Sequence, residues 1–183
     1  MLDAIHPWGS RIRVSLGAEI VAQVASESWQ LAAYRALRCT IFAQEQGLFA
    51  GSDHDEHDEH ALPIVAQSQI AGMADRVVGV VRIYRSEPAT WYGGRLGVHH
   101  DYRRFGAVGT ALIACAVSTA HALGCQRFLA TVQLGNVRYF ERHHFRPQRE
   151  VLVQGRPHCL MQAELACYPP RALGERFVQA RVA

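Results

Sequence analysis

The chain contains no lysine: its 19 basic residues are all arginine, set against 16 acidic ones, for a net charge of +3 over 183 residues. So small an excess does not make the concentrated basic face that nucleic acid needs, and the missing lysine reads as a coding bias. Long apolar runs are missing too. No stretch approaches the ~20 residues of a membrane span, and the opening MLDAIHPWGSRIRVSLG has no basic patch followed by an apolar segment. These absences predict a cytoplasmic protein without a nucleic-acid or membrane partner. Cys39, Cys115, Cys125, Cys159 and Cys167 are odd in number, widely spaced and free of any C-x-x-C, so neither a disulfide framework nor a zinc site is indicated. No internal repeat is visible. The 49% hydrophobic content is enough for one domain with a real core.

Alternation in Glu19 to Val24 predicts a first strand, and Ser26 or Ser28 is placed to cap a helix from Trp29 to Gln46 that Gly47 stops. Trp29, Ala33, Leu37 and Ile41 recur at four-residue steps along it, a stripe for packing on a sheet. Strands are expected over Ala61 to Gln67, Val77 to Tyr84 and Thr90 to Val98, where Gly97 suggests that the strand parts from a neighbour or admits something to its backbone. GAVGTALIACAVSTAHAL, from Gly106 to Leu123, is apolar on nearly every face, as a helix buried against a sheet would be. A strand over Arg127 to Val132, a short helix over Asn136 to His143 and a hairpin of Glu150 to Gln154 with Cys159 to Leu165 follow. The amphipathic tail from Pro169 could dock on the body, meet a partner or stay loose. Helices interleaved with strands point to a layered α/β or α+β domain.

The informative junction runs from Leu96 to Leu112, LGVHHDYRRFGAVGTAL. A strand passes into a turn bearing arginines and glycines that opens an apolar helix, so backbone N–H groups and the positive helix end can converge on an anion. Arg103 and Arg104 add charged donors, and the small residues allow the close approach a diphosphate needs. An ordinary strand-to-helix turn with glycines for tightness is the competing reading.

At this junction the sequence resembles the GNAT N-acyltransferase superfamily, whose signature is R/Q-x-x-G-x-G/A between a strand and a helix. The resemblance runs from about Glu19 to Leu165. It implies one domain over residues 1–168, with residues 1–17 as an N-terminal extension and 169–183 as a C-terminal tail. The implied fold is α/β (α+β), a mixed, mostly antiparallel sheet of about six to seven strands flanked by about four helices. The stretches IFAQEQGLF, DEHDEHALPIVA, AGMADRVVGVVRIY and GRPHCLM are more narrowly similar to a bacterial subfamily of nitrogen-starvation N-acetyltransferases. The implied cosubstrate is acetyl-CoA, or another acyl-coenzyme A, as donor, with no metal. The implied partner is a small-molecule amine, and the protein would be a monomer or homodimer.

Carried over residue by residue, the resemblance implies that the Leu96 amide meets the thioester carbonyl as an oxyanion donor, and that Val98 holds the pantetheine arm. The diphosphate would lie on Arg103, Arg104, Phe105, Gly106, Ala107, Val108, Gly109 and Thr110. The motif departs from the pattern by one residue: Arg103-x-x-Gly106 puts Val108 at the last small position, and Arg104-x-x-Ala107-x-Gly109 has alanine for the first glycine. The tyrosine that protonates the leaving thiolate in many relatives is replaced by Phe140. Tyr139 is one residue, or ~100° of helix, away. Asn136 would cap the short helix or bond the cofactor arm, and Phe140 would line the same groove.

SDHDEHDEH, Ser52 to His60, remains open. It lacks the glycine and terminal glutamate of a calcium-binding EF-hand loop and is not H-E-x-x-H. A metal site, a solvated charged loop and one wall of an acceptor pocket all stand. For the pocket, Asp55, Asp58 and His60 are the candidates to attract an amine, with Asp55 or Glu45 as the base. Arg82 would pair with the loop or bind an acceptor carboxylate, which would favour an amino-acid-like acceptor. Two other functions compete with N-acyl transfer. Arg38-x-x-x-Phe42-x-x-Glu45 with Gly79-x-Val81-Arg82 is loosely similar to acyl-homoserine-lactone synthases, against which the Arg/Gly turn argues. A non-catalytic acyl-CoA sensor is favoured by Phe140 and the irregular glycines.

Overall fold

The computed structural model describes residues 19–47, 49, 51–70 and 72–179; the proposed extension over residues 1–17 lies outside them. Eight strands form one sheet in the order β6-β7-β5-β4-β3-β2-β1-β8. In chain order they are β1 (Glu19–Val24), β2 (Leu62–Ile70), β3 (Met73–Glu87), β4 (Thr90–Val98), β5 (Arg127–Gln133), β6 (Phe145–Val153), β7 (Arg156–Ala163) and β8 (Phe177–Gln179). All neighbours are antiparallel except β4 and β5. The strand beyond the expected six to seven comes from the tail, where Ile20 pairs with Gln179 and Ala22 with Phe177. Among the described residues no helix is long and apolar enough to cross a membrane.

Helix α1 (Ser28–Arg38) continues as a π-helical turn over Cys39–Glu45 and lies on one face of the sheet, against Val65, Val77 and Val80. Its cap is neither serine: the Gln30 side chain accepts from the amides of Ser26 and Glu27, at 2.9 and 3.0 Å, which satisfies the two donors just outside the helix. Leu37 and Ile41 of the expected stripe are buried, but its N-terminal half is turned. Gln30, Tyr34, Leu37, Arg38 and Ile41 point inward while Trp29 is 46% exposed, because one end of the helix caps itself through Gln30 and the other sends Arg38 into ion pairs.

Helix α2 (Ala107–Ala122) crosses the opposite face and packs on Ile64, Val78, Val81 and Ile83. Gly79 brings it close: a Cβ there would stand 2.6 Å from Val108 and 2.8 Å from Leu112. The segment from Tyr168 to Arg171 lies on it as well: His121 Nδ1 reaches the Tyr168 carbonyl at 2.7 Å and Arg171 N donates to the Ser118 carbonyl at 3.4 Å. This is why the helix is apolar all round. A short third helix, α3 (Val137–Glu141), stands after β5, and single 3₁₀ turns occupy Glu56–Glu59, His100–Phe105, Leu134–Asn136 and Leu165–Cys167. The five cysteines are free thiols. Burial raises the thiol of Cys115, inside α2, to about 12.

Candidate active site

The parallel pair β4 and β5 stays together only from Thr90↔Arg127 to Gly93↔Ala130. Beyond Gly93, β4 continues to Val98 and β5 to Gln133 without pairing, so the sheet opens as a wedge and the backbone of Gly94 to Val98 has no ladder partner on that side. A bulge sharpens the split. Val80 pairs with Gly97 but Arg82 pairs with Gly94, so β4 has one residue too many there, and Arg95 takes it up with φ +55°. The parting that Gly97 suggested is therefore present, although what approaches Gly97 is the π-helical turn after α1: a Cβ there would stand 2.9 Å from Ile41 and 3.3 Å from Phe42.

Two hollows meet at this wedge. A groove of about 370 Å³ runs past Leu96, Gly97 and Val98 to Gly106, Gly109 and Tyr139. A cavity of about 480 Å³ runs the other way, past Arg82, Tyr84, Tyr92, Gly93 and Gly94. Gln46, Leu96, Asn136 and Phe140 line both. A molecule lying in the groove would reach the cavity past the Leu96 backbone.

At the far end of the groove, Gly106 has φ +65° and precedes α2, and Thr110 N donates to its carbonyl at 3.1 Å as the first turn closes. The amides of Ala107, Val108 and Gly109 lie ahead of that bond at the positive helix end, an arrangement that suits a diphosphate. Both glycines of the irregular motif have a physical reason. Gly106 supplies the left-handed turn, and at Gly109 a Cβ would collide with the Tyr139 hydroxyl. Val108 is fully buried with its side chain against Gly79, so the β-branch turns away from the groove. Arg103 crosses the lip, donating from Nε to the Val98 carbonyl at 2.8 Å and pairing through Nη2 with Glu45. Arg104 is exposed, and the Phe105 side chain lies outside the described residues. The Thr110 hydroxyl donates to Gly106 O and meets His143 Nε2 at 2.8 Å.

The acidic loop forms the opposite wall. Asp53, Asp55 and Asp58 are gripped by Arg38, Arg82 and Arg95, a charge-balanced set of six. Arg82 donates to both Asp55 oxygens, at 2.7 and 2.6 Å, and lies 2.7 Å from Asp58. Arg38 Nε donates to Asp53 at 2.7 Å and its Nη2 to Asp58 at 3.0 Å, and Arg95 holds Asp53 and Asp55 at 3.1 and 3.0 Å. Burial alone would raise the Asp58 carboxyl, but hydrogen bonds from Arg38 and Arg82 outweigh it and hold it well below the usual range. Asp55 is lowered by the same balance, with Arg82 the main opponent of desolvation. Burial and then the Arg82 charge lower Arg95. Among the described residues, the ligand atoms that cluster as a metal would need belong to His99, His100 and Asp101 rather than to the loop.

The expected residues thus separate. Leu96, Asn136 and Phe140 stand where the hollows meet, Val98, Arg103, Gly106, Gly109 and Tyr139 line the groove, and Asp55 and Arg82 line the cavity. Glu45, Asp58 and His60 line neither; Glu45 is tied to Arg103, Asp58 is buried under two arginines, and His60 is exposed. The Tyr139 hydroxyl points at Gly106 O, 3.5 Å away, and not at Leu96's end of the groove. Sequence reasoning missed several lining residues. His57 stacks on Tyr84 at 4.3 Å and Tyr84 on Tyr92 at 5.7 Å, a ladder along the cavity wall. The period-two alternation of β3 puts Tyr84 on the same face as Arg82, a signal that was available. His158 and Gln46 gave none: one reaches the cavity only through β7 pairing with β5, the other through the π turn.

The acetyltransferase (GNAT) family matches residues 20–145, and the chain belongs to that family. Members of this family use acetyl-CoA or another acyl-CoA as donor. A candidate N-acetyltransferase of Lactobacillus plantarum is similar in structure, with a TM-score of 0.68 and 22% identity over 81% of this chain and 99% of the other. ElaA of Escherichia coli gives 0.65 and 22% over 80% and 99%. BjaI, a CoA-dependent acyl-homoserine lactone synthase solved with SAM and isopentyl-CoA, gives 0.61 and 20% over 80% and 82%. At these identities the likeness shows the fold. No curated protein matches the sequence.

Proposed function

We propose that the protein transfers an acyl group from acyl-coenzyme A directly to the amine of a small acceptor. The observation that carries this reading is the meeting of the two hollows at Leu96, Asn136, Phe140 and Gln46. The diphosphate would rest on the amides of Ala107 to Gly109 with Arg103 and Arg104 at the lip, and the pantetheine would follow the β5 side of β4 past the amide of Val98, whose carbonyl accepts from Arg103. The thioester carbonyl would then lie at the Leu96 amide, which stabilises the negative charge that grows on the oxygen. Bringing both reactants to one wedge supplies proximity.

The acceptor would enter along the cavity wall of Asp55, Arg82, Arg95 and the His57–Tyr84–Tyr92 ladder. Asp55 has a side chain 32% exposed and could accept a hydrogen bond from the amine, although Arg82 and Arg95 already balance its charge. Bonded to two arginines, it is a weak base, and Glu45 lines neither hollow and is tied to Arg103. We assign the base to His158 instead. Its Nδ1 lies 2.9 Å from the Arg156 carbonyl, which can only accept, so in the neutral ring Nδ1 carries the hydrogen and Nε2 keeps its lone pair. The amine nitrogen attacks the thioester carbon, the C–N bond forms as the C–S bond breaks, the amine proton passes to His158, and the thiolate departs to be protonated from water. Phe140 supplies no acid to that thiolate, and Tyr139 serves the groove. The nitrogen-starvation subfamily remains part of this proposal on its similar stretches, and an amino-acid-like acceptor on Arg95, 18% exposed at the cavity wall, since Arg82 is taken up by Asp55 and Asp58.

A thiol-release assay with acetyl-CoA and a panel of small amines and amino acids tests the reading. Amine-dependent release with formation of the amide is expected. Binding of acetyl-CoA without release across the panel would favour the acyl-CoA sensor, for which the loss of a hydroxyl at position 140 is the supporting observation.

A further inference from the structure

Two rings lie against the first turn of α2. Tyr139, on α3, and His143, just after it, stand with centroids 4.4 Å apart. His143 lines neither hollow, yet it is bonded at both nitrogens. Nδ1 is 2.8 Å from the Tyr139 carbonyl, and Nε2 is 2.8 Å from the Thr110 hydroxyl, which is 3.1 Å from the carbonyl of Gly106. Gly106 is the left-handed residue that opens the helix.

A carbonyl only accepts, so Nδ1 carries a hydrogen whatever the charge of the ring, and the second proton belongs to Nε2. With the ring neutral, Nε2 accepts from Thr110 and the single hydroxyl hydrogen is withdrawn from Gly106. With the ring charged, Nε2 donates to Thr110 Oγ1 and the hydroxyl hydrogen goes to Gly106 O. Both contacts are made together only in the charged ring. Nε2 then lies within two hydrogen-bond lengths, about 6 Å, of the Gly106 carbonyl.

Among the described residues no carboxylate is bonded to either nitrogen. Tyr139 and Tyr168 are phenols that burial raises, and the Tyr168 hydroxyl donates to the His143 carbonyl. Glu164, near the same turn, is paired with Arg146. Glu141, Arg142 and His144 adjoin His143 in the chain and are exposed, as are Cys167 and the lip residues Arg103 and Arg104.

We propose that His143 is a positioning residue for the diphosphate, and that acyl-coenzyme A binds with uptake of a proton at His143 Nε2. The inference rests on the donor reading above. An imidazolium this close to the seat attracts a diphosphate more than the neutral ring does, and by linkage the bound diphosphate attracts the proton. The proton comes from solvent, and no bond of the cofactor changes. The charged ring also turns the Thr110 hydroxyl onto Gly106, which fixes the turn whose following amides meet the phosphates.

The test is calorimetric titration of acetyl-CoA into the full chain between about pH 6 and pH 8, the range in which histidine titrates. Each titration is run in two buffers of different ionisation heat, for the wild type and for His143→Gln. The 3′-phosphate of the cofactor titrates at about pH 6 as well, but equally against both proteins, so the difference between them reports the ring. The wild type is expected to take up more protons on binding than the variant. Its gain in affinity from the upper to the lower pH should exceed the variant's by roughly threefold to tenfold. Thr110→Val removes the hydroxyl between ring and turn and should flatten the profile in the same way; it carries the comparison if melting shows His143→Gln to be unfolded. Equal proton uptake and equal pH dependence in the wild type and a folded variant would overturn the proposal and leave the donor reading standing. Failure of the wild type to bind acetyl-CoA or CoA anywhere in the range would overturn both.

Discussion

Arg82 holds Asp55 by both carboxylate oxygens, at 2.7 and 2.6 Å, across 27 positions of sequence, and so fixes the acidic loop to the central strand. The Arg82 side chain is only 3% exposed, and its Nε has no hydrogen-bond partner among the described residues. The pair is therefore a committed structural contact rather than a surface one. Removing Arg82 leaves Asp55 to Arg95 alone and Asp58 to Arg38 alone, and leaves the cluster one positive charge short. Arg82→Met is expected to destabilise the fold by about 3–5 kcal/mol, read by urea denaturation. An unchanged midpoint would show that the loop is not anchored there.

The same cluster makes stability depend on acid. Asp55 and Asp58 have native carboxyls held below the usual range by their arginines. The unfolded chain binds those protons near pH 4 while the native state still refuses them. The stability they contribute is complete above that pH and is lost as pH falls through the depressed native values. Denaturation midpoints should fall steeply below about pH 4, with a shallower fall in Asp58→Asn, which has one such proton fewer to take up. Equal slopes would contradict the assignment.

Gly109 and Tyr139 are matched in size. A methyl group on Gly109 would run into the Tyr139 hydroxyl, so Gly109→Ala should cost about 1–3 kcal/mol and weaken CoA binding. Removing the hydroxyl leaves the nearest ring carbon 3.3 Å from the new methyl. In a Tyr139→Phe background the stability cost of Gly109→Ala should therefore drop to well under half. A cost that does not change would mean that the clash is relieved elsewhere.

His158 separates catalysis from binding. His158→Ala is expected to lower kcat by roughly 10²-fold or more, as the loss of a general base does, while acetyl-CoA affinity holds. Added imidazole should restore part of the rate, an effect that a purely structural role would not give. Full activity in the variant would remove His158 from the mechanism.

The sheet, the wrapped helix α2 and the glycine-bearing turn that opens it were legible in the sequence because each leaves a local mark: alternation, an all-apolar run, glycines beside arginines. Of the expected stripe, Leu37 and Ile41 face in, while its N-terminal half turned, since a polar cap at Gln30 and a buried ion pair at Arg38 outrank hydrophobicity in setting which side faces in. The acidic loop could not be read alone. Its meaning depends on Arg38, Arg82 and Arg95, which reach it from α1, β3 and the bulge in β4. The cavity depends on a strand pair that separates after Gly93, and no residue pattern marks where hydrogen bonding stops.

The central claim is that the turn between β4 and α2 seats the diphosphate of an acyl-coenzyme A. Calorimetric titration of free CoA into the wild type and into Gly109→Glu tests it most directly. One-to-one binding in the wild type, lost in a folded Gly109→Glu protein, is the predicted result. No binding to the wild type, or undiminished binding to the variant, would contradict it.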